Sequence, residues 1–118
     1  MNYEKLLSLH LSSAFTYFVT IATNYRFYST TPIYKKFRQY IYNFDRSAHV
    51  FSVKELTQNF HGLHYHVLVF LNKRLDYSEV HEKMNLHADI RIEIVPKTKS
   101  DFERVFAYMM KQNSRFFA

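Results

Sequence analysis

Apolar and polar positions along the 118-residue chain fall into segments whose period changes repeatedly. Residues 14–22 (AFTYFVTIA) are aromatic and β-branched, the composition of a buried strand. After a polar stretch, Ile33, Phe37, Tyr40, Ile41 and Phe44 recur at helical spacing, with Lys35, Lys36 and Arg38 mostly outside that stripe. Thr31 ahead of Pro32 predicts where this helix starts, because Thr caps well and Pro suits the first helical position. Residues 48–56 (AHVFSVKEL) and 63–71 (LHYHVLVFL) predict two further strands, and the short connection between them predicts a hairpin. Asp76 and Glu79 have capping-box spacing for a helix to about Leu86, with Val80 and Met84 inward. Residues 89–95 (DIRIEIV) alternate, placing Ile90, Ile92 and Ile94 on one face, and Pro96 ends that strand. Ser100 and Glu103 repeat the capping-box spacing for a last helix to about Gln112. Residues 1–13 fit either a strand or a short helix.

The predicted order is β-α-β-β-α-β followed by one more helix. That is the split-βαβ, ferredoxin-like order, an α+β fold with an antiparallel sheet. Such a sheet carries two helices on one face and leaves the other open. The extra C-terminal helix is available to cover it.

Composition narrows the class. One Gly and two Pro argue against a linker or disordered segment, so residues 1–118 read as one domain with no helicase or second domain. The absence of Cys excludes disulfides and thiolate metal sites. No apolar run reaches the roughly 18 residues of a membrane span. Met1 to Lys5 lack the basic start and long apolar block of a signal peptide. An intracellular protein with no membrane association is expected. The formal charge of +6 and pI near 9.6 favour a polyanionic partner, nucleic acid first, over a merely soluble basic protein.

Candidate chemistry begins at His64 and His66. Two apart on a strand, they share a face with Leu68 and Phe70, while Tyr65, Val67, Val69 and Leu71 share the other. The second set makes the better core against two helices, which leaves the imidazoles on the open face. Neutral imidazole binds divalent ions, although many such pairs are ordinary surface or core histidines. Glu55, near the end of the neighbouring strand, is the candidate third ligand; its alternative is an exposed carboxylate partnered by Lys54. Two His and one carboxylate leave coordination positions open, as catalysis requires. His61 lies in the predicted turn and ranks as a DNA-contacting residue; His10, His49, His81 and His87 are expected to be structural or solvated. Tyr108 and Lys111, three apart on the last helix, share a face. A Tyr hydroxyl, with a pKa of about 10, needs a cation or a polarised electrophile to act as a nucleophile.

These blocks resemble a known family. Val53-Lys-Glu-Leu together with His61-Gly-Leu-His-Tyr-His-Val-Leu-Val69 looks like the second motif of HUH endonucleases, in which two His flank a bulky hydrophobic residue. Tyr108-Met-Met-Lys111 looks like the family's Y-x-x-K third motif, and Phe15-Thr-Tyr-Phe-Val-Thr20 like its loosely defined first. The resemblance implies a rolling-circle replication initiator (Rep), of the compact kind found in the rod-shaped archaeal viruses, the rudiviruses. It implies His64, His66 and Glu55 as ligands of Mg²⁺ or Mn²⁺, Tyr108 as nucleophile and Lys111 as a phosphate-positioning cation.

The reading that follows is a sequence-specific, single-stranded DNA nicking and joining enzyme. Its intermediate is a 5′-phosphotyrosyl link that leaves a free 3′-hydroxyl. Arg26, Lys97, Lys99 and Arg104, with His61, are the expected DNA contacts. A homodimer is expected, because one tyrosine must both cut and rejoin; the apolar segment Leu6, Leu7, Leu9, Leu11 offers an interface, or else packs on its own core. If the protein is viral, the host cytoplasm is its place. The alternatives are a non-catalytic single-strand-binding module of the same fold and a single-tyrosine transposase of the same chemistry.

Overall fold

Eight elements follow one another in the computed structural model: α1 (Tyr3–Ser12), β1 (Phe15–Thr23), α2 (Thr31–Phe44), β2 (His49–Leu56), β3 (Leu63–Leu71), α3 (Tyr77–Lys83), β4 (Ala88–Ile94) and α4 (Lys99–Phe117). Residues 2–23, 30–56, 63–84 and 88–117 are described. The strands form one sheet in the order β2-β3-β1-β4, every neighbouring pair antiparallel. This is the ferredoxin-like arrangement that the β-α-β-β-α-β order predicts, with a helix added at each end. Among the described residues no helix is long and apolar enough to cross a membrane.

The two faces of the sheet hold separate cores. Tyr65, Val67, Val69 and Leu71 of β3 pack with Tyr34, Phe37 and Ile41 of α2 and with Val80 of α3. Leu68 and Phe70 of β3 pack on the other side with Leu6 of α1 and with Phe102, Val105 and Met109 of α4. The predicted division of β3 therefore holds, and α4 does cover the face that α2 and α3 leave open. Because both faces are covered, every side chain from Tyr65 to Leu71 is buried, and that explains the near-continuous apolar run. Burying Leu68 and Phe70 stabilises the fold by roughly 1.5–3 kcal/mol each. β4 lies at the sheet edge. Ile90 and Ile92 pack inward there, and Ile94 is half exposed.

Local chemistry moves several helix ends from the expected residue. Tyr3–Ser12, within the ambiguous N-terminal segment, form a helix that the Asn2 side chain caps by accepting from Lys5 N–H at 2.8 Å, with Leu6 and His10 one turn apart on the buried side. α2 is capped at Thr30, and no side-chain cap bond forms; the Thr31 hydroxyl instead meets that of Tyr65 at 2.8 Å. Asp76 caps α3 as expected, accepting from Ser78 and Glu79 N–H. That helix ends at Lys83, and Leu86 lies outside the described residues. α4 starts at Lys99, and Thr98 takes the capping place expected of Ser100. The Thr98 hydroxyl accepts from Asp101 N–H at 3.1 Å and donates to the Asp101 carboxylate. Thr98 and Asp101 have the same spacing as the predicted box. Glu103, its expected acid, accepts from the Tyr3 hydroxyl at 2.8 Å and ties α1 to α4. α4 also runs past Gln112 to Phe117.

Candidate active site

Strand register brings the site together. Glu55 on β2 stands opposite His64 on β3, and His66 stands opposite Thr20 on β1, which in turn faces Arg91 on β4. On this face the small side chains of Thr20 and Ala22 lie between the histidines and the β4 edge. They form the floor of a cleft of about 670 Å³, with Phe18, Glu55, His64 and His66 on one side, Asp89, Arg91 and Glu93 on the other, and Arg104, Val105 and Tyr108 of α4 alongside. That volume falls within the range of small-molecule and cofactor sites.

His66 is held on three sides. Its Nε2 lies 2.9 Å from Glu55 Oε2. Its ring is stacked on Phe18, with centroids 6.0 Å apart, and meets the Tyr108 ring edge-on at 5.6 Å. Tyr108 also meets Phe18 edge-on at 6.0 Å. Phe18 thus joins the imidazole on β3 to the phenol on α4. His66 is 3% exposed and its Nδ1 is buried without a hydrogen-bond partner, whereas Tyr108 is 47% exposed. The tyrosine is therefore anchored by its ring and open to the cleft and solvent.

The donor set suits a divalent ion: two imidazoles and a carboxylate. Glu55 and His66 stand as a hydrogen-bonded pair, 2.9 Å apart. His64 lines the same cleft. Among the described residues no three His, Asp or Glu side chains converge closely enough to hold an ion.

Five of the expected site residues meet at this cleft: Glu55, His64, His66, Arg104 and Tyr108. Arg104 lies one turn before Tyr108 and 3.9 Å from Asp101. Lys111 is exposed on α4 and does not line the cleft. Lys99 is exposed at the start of α4, 3.7 Å from Glu103 and away from the cleft. His61 and Arg26 lie outside the described residues. Lys97 is engaged elsewhere. Its ammonium donates to His10 O at 2.6 Å, Thr16 Oγ1 at 2.9 Å and Ser13 Oγ at 3.1 Å, and burial pushes its pKa down to about 8. Of the remaining histidines, His10 is buried and structural, His49 and His81 are exposed, and His87 lies outside the described residues. Of the apolar N-terminal segment, Leu6 is buried, Leu7 and Leu9 pack partly on the same core, and Leu11 is 54% exposed.

Sequence spacing alone does not find Phe18, Thr20 or Arg91. The signal is alternation on β1, where Phe18, Thr20 and Ala22 share a face; it points to the histidines only once β1 is paired with β3.

Comparisons with known proteins place this chain in a lineage. The family model described as "Virus, 117-like" matches residues 12–112. "Uncharacterized protein 117" of Sulfolobus islandicus rod-shaped virus 1 is 57% identical over 108 residues, 92% of each chain. The crystal structure of the hypothetical protein ORF119 from the same virus is similar at a TM-score of 0.79 and 57% identity, covering 92% of this chain and 91% of that one. The expected kinship with a rod-shaped-virus protein is borne out at this level. The names of these relatives state no activity.

Proposed function

The chain belongs to this 117-like virus family, and we propose that it nicks and rejoins single-stranded DNA, as an HUH-type replication initiator, with Tyr108 as the nucleophile. The observation that carries the reading is the packing of the Tyr108 ring against His66, whose Nε2 lies against the Glu55 carboxylate. A nucleophile and a candidate ion-binding pair then share one cleft although they lie more than 40 residues apart in the chain.

The Tyr108 hydroxyl oxygen attacks a backbone phosphorus in line with the departing 3′-oxygen. The P–O3′ bond breaks as the P–O(Tyr) bond forms. The phenolic proton passes to solvent or a nearby base, and the 3′-oxygen leaves as a hydroxyl after taking up a proton. The product is a 5′-phosphotyrosyl link and a free 3′-hydroxyl able to prime synthesis. A returning 3′-hydroxyl reverses the step without ATP, because the phosphodiester bond energy is conserved. A divalent ion such as Mg²⁺ or Mn²⁺, when bound by His64, His66 and Glu55, supplies polarisation of the scissile phosphate. Arg104 and Arg91 offer guanidiniums to the non-bridging oxygens, and Lys111 adds a cation one turn beyond the nucleophile. The cleft is lined by α4 along one side. A homodimer would pair two such tyrosines for cutting and rejoining, and such chemistry belongs with DNA inside the host cell.

The test is incubation of labelled single-stranded oligonucleotides from candidate origin or terminal sequences with the protein and Mn²⁺, read on a denaturing gel. A covalent adduct is expected with the wild type and none with Tyr108→Phe, which keeps the ring contacts and removes only the hydroxyl. Binding without any adduct across those sequences would leave a non-catalytic nucleic-acid-binding module. An adduct on a transposon-end sequence alone would instead indicate a transposase.

A further inference from the structure

The positive charge of the chain is not gathered at the cleft. Residues 30–54 hold five basic side chains, Lys35, Lys36, Arg38, Arg46 and Lys54, and a single acid, Asp45. Asp45 is buried and accepts from both the N–H and the hydroxyl of Ser47 and from Asn72 N–H, so it is turned away from that surface. This one segment supplies four of the six net charges, while the cleft mixes Glu55, Asp89 and Glu93 with Arg91 and Arg104.

All five basic residues are exposed. α2 turns Tyr34, Phe37 and Ile41 to the sheet, which puts Lys35 and Lys36 on its outer side and Arg38, one turn beyond Tyr34, at the edge of that side. Arg38 lies 5.5 Å above the Tyr34 ring, which is itself stacked on Tyr65 at 4.3 Å, so the guanidinium is held in place while its N–H groups stay outward. The Tyr34 hydroxyl meets Ser52 Oγ at 2.8 Å, and Lys54, two residues further along the edge strand, projects to the same face. Asp76 and Glu79 of α3 act at Tyr40, one turn beyond Lys36 and on the flank of α2 away from Arg38.

We propose that the outer face of α2, with Lys54, binds the sugar–phosphate backbone of duplex DNA without reading its sequence. It is a second contact surface on the opposite side of the sheet from Tyr108. The face is a convex helix carrying donors, with none of the grooved, ring-lined character that single strands use. An anionic membrane would call for an apolar face to insert, and the one large ring exposed along α2 is Tyr42.

The test uses the Tyr108→Phe protein, so that its outcome is independent of nicking, and a fluorescent blunt 20-base-pair duplex followed by anisotropy over a salt series. Changing Lys35→Gln, Lys36→Gln and Arg38→Gln together is expected to weaken duplex binding at least tenfold and to flatten the log–log salt slope by about 2 to 3. Changing Lys5→Gln and Lys99→Gln together, on the other layer and outside the cleft, is expected to change it less than threefold. Circular dichroism melting checks that both variants fold. No duplex binding by the parent protein, equal losses in the two variants, or binding transferred to phosphatidylserine vesicles would each overturn the proposal. A chain that binds duplex through α2 yet never forms an adduct would lose the nicking reading and keep this one.

Discussion

His66 and His10 show how differently two buried imidazoles are used. His66 has a carboxylate partner and an aromatic neighbour on each side, in a cleft open to solvent. Glu55→Gln preserves reach and shape but removes the charge. On the proposed reading it lowers Mn²⁺ affinity and nicking by at least about tenfold, while thermal stability changes little; titration calorimetry with Mn²⁺ measures the first. An unchanged isotherm would remove Glu55 from the ligand set. His10 is fully buried, with Nδ1 2.8 Å from Thr16 Oγ1 and Nε2 3.1 Å from Thr98 O. Burial, and then the Lys97 charge, hold its pKa below the ordinary 6.5. The unfolded chain therefore binds the proton first. His10 leaves stability untouched above about pH 6.5 and erodes it as pH falls below that value. The urea midpoint is expected to drop between pH 7 and 5, and His10→Gln, which cannot titrate, is expected to flatten part of that drop. A parallel pH profile in the variant would show that His10 is not the group responsible.

At the scale of elements, α4 carries both the second core and the candidate nucleophile. Phe102 is fully buried and stacked against His10 at 5.3 Å and Phe106 at 5.7 Å. Phe102→Ala is expected to cost about 3–5 kcal/mol, and Thr98→Ala only about 1 kcal/mol through loss of the cap; denaturant titration separates the two. Equal effects would mean that the cap, and not packing, fixes the helix. Local periodicity made much of this layer legible. The i, i+3 spacing of Tyr108 and Lys111, the alternation of His64 and His66, and the apolar set Val105, Phe106, Met109 and Met110 are all visible in short windows. The start of α4 was not, because Thr98-x-x-Asp101 and Ser100-x-x-Glu103 offer the same cap, and the choice depends on Glu103 being claimed by Tyr3 from the far end of the chain. Lys97 reads as a free cation in sequence for the same reason. Its partners His10, Ser13 and Thr16 are more than 80 residues away.

On the scale of the molecule, one sheet separates two cores that share its strands. Binary patterning revealed both, because β3 can be apolar on each face only if each face is covered. It did not reveal that α1 would help α4 cover the second face, since Leu6, Leu7 and Leu9 fit a strand or a helix equally well until Asn2 caps them. The shared sheet has a thermodynamic consequence. Neither layer can leave without exposing β3 and β1, so the two cores should unfold together even though their helices do not touch across the sheet. Ile41, fully buried under α2, and Leu6, fully buried under α1, lie on opposite sides. Ile41→Val is expected to cost about 0.5–1.5 kcal/mol and Leu6→Ala about 2–5 kcal/mol. The double variant is expected to show their sum to within about 0.5 kcal/mol, with far-ultraviolet and tyrosine signals giving one coincident urea transition in all four proteins. Separate transitions would mean that the layers are independent units, and α4 could then detach with Tyr108 while the histidines stayed folded on β3.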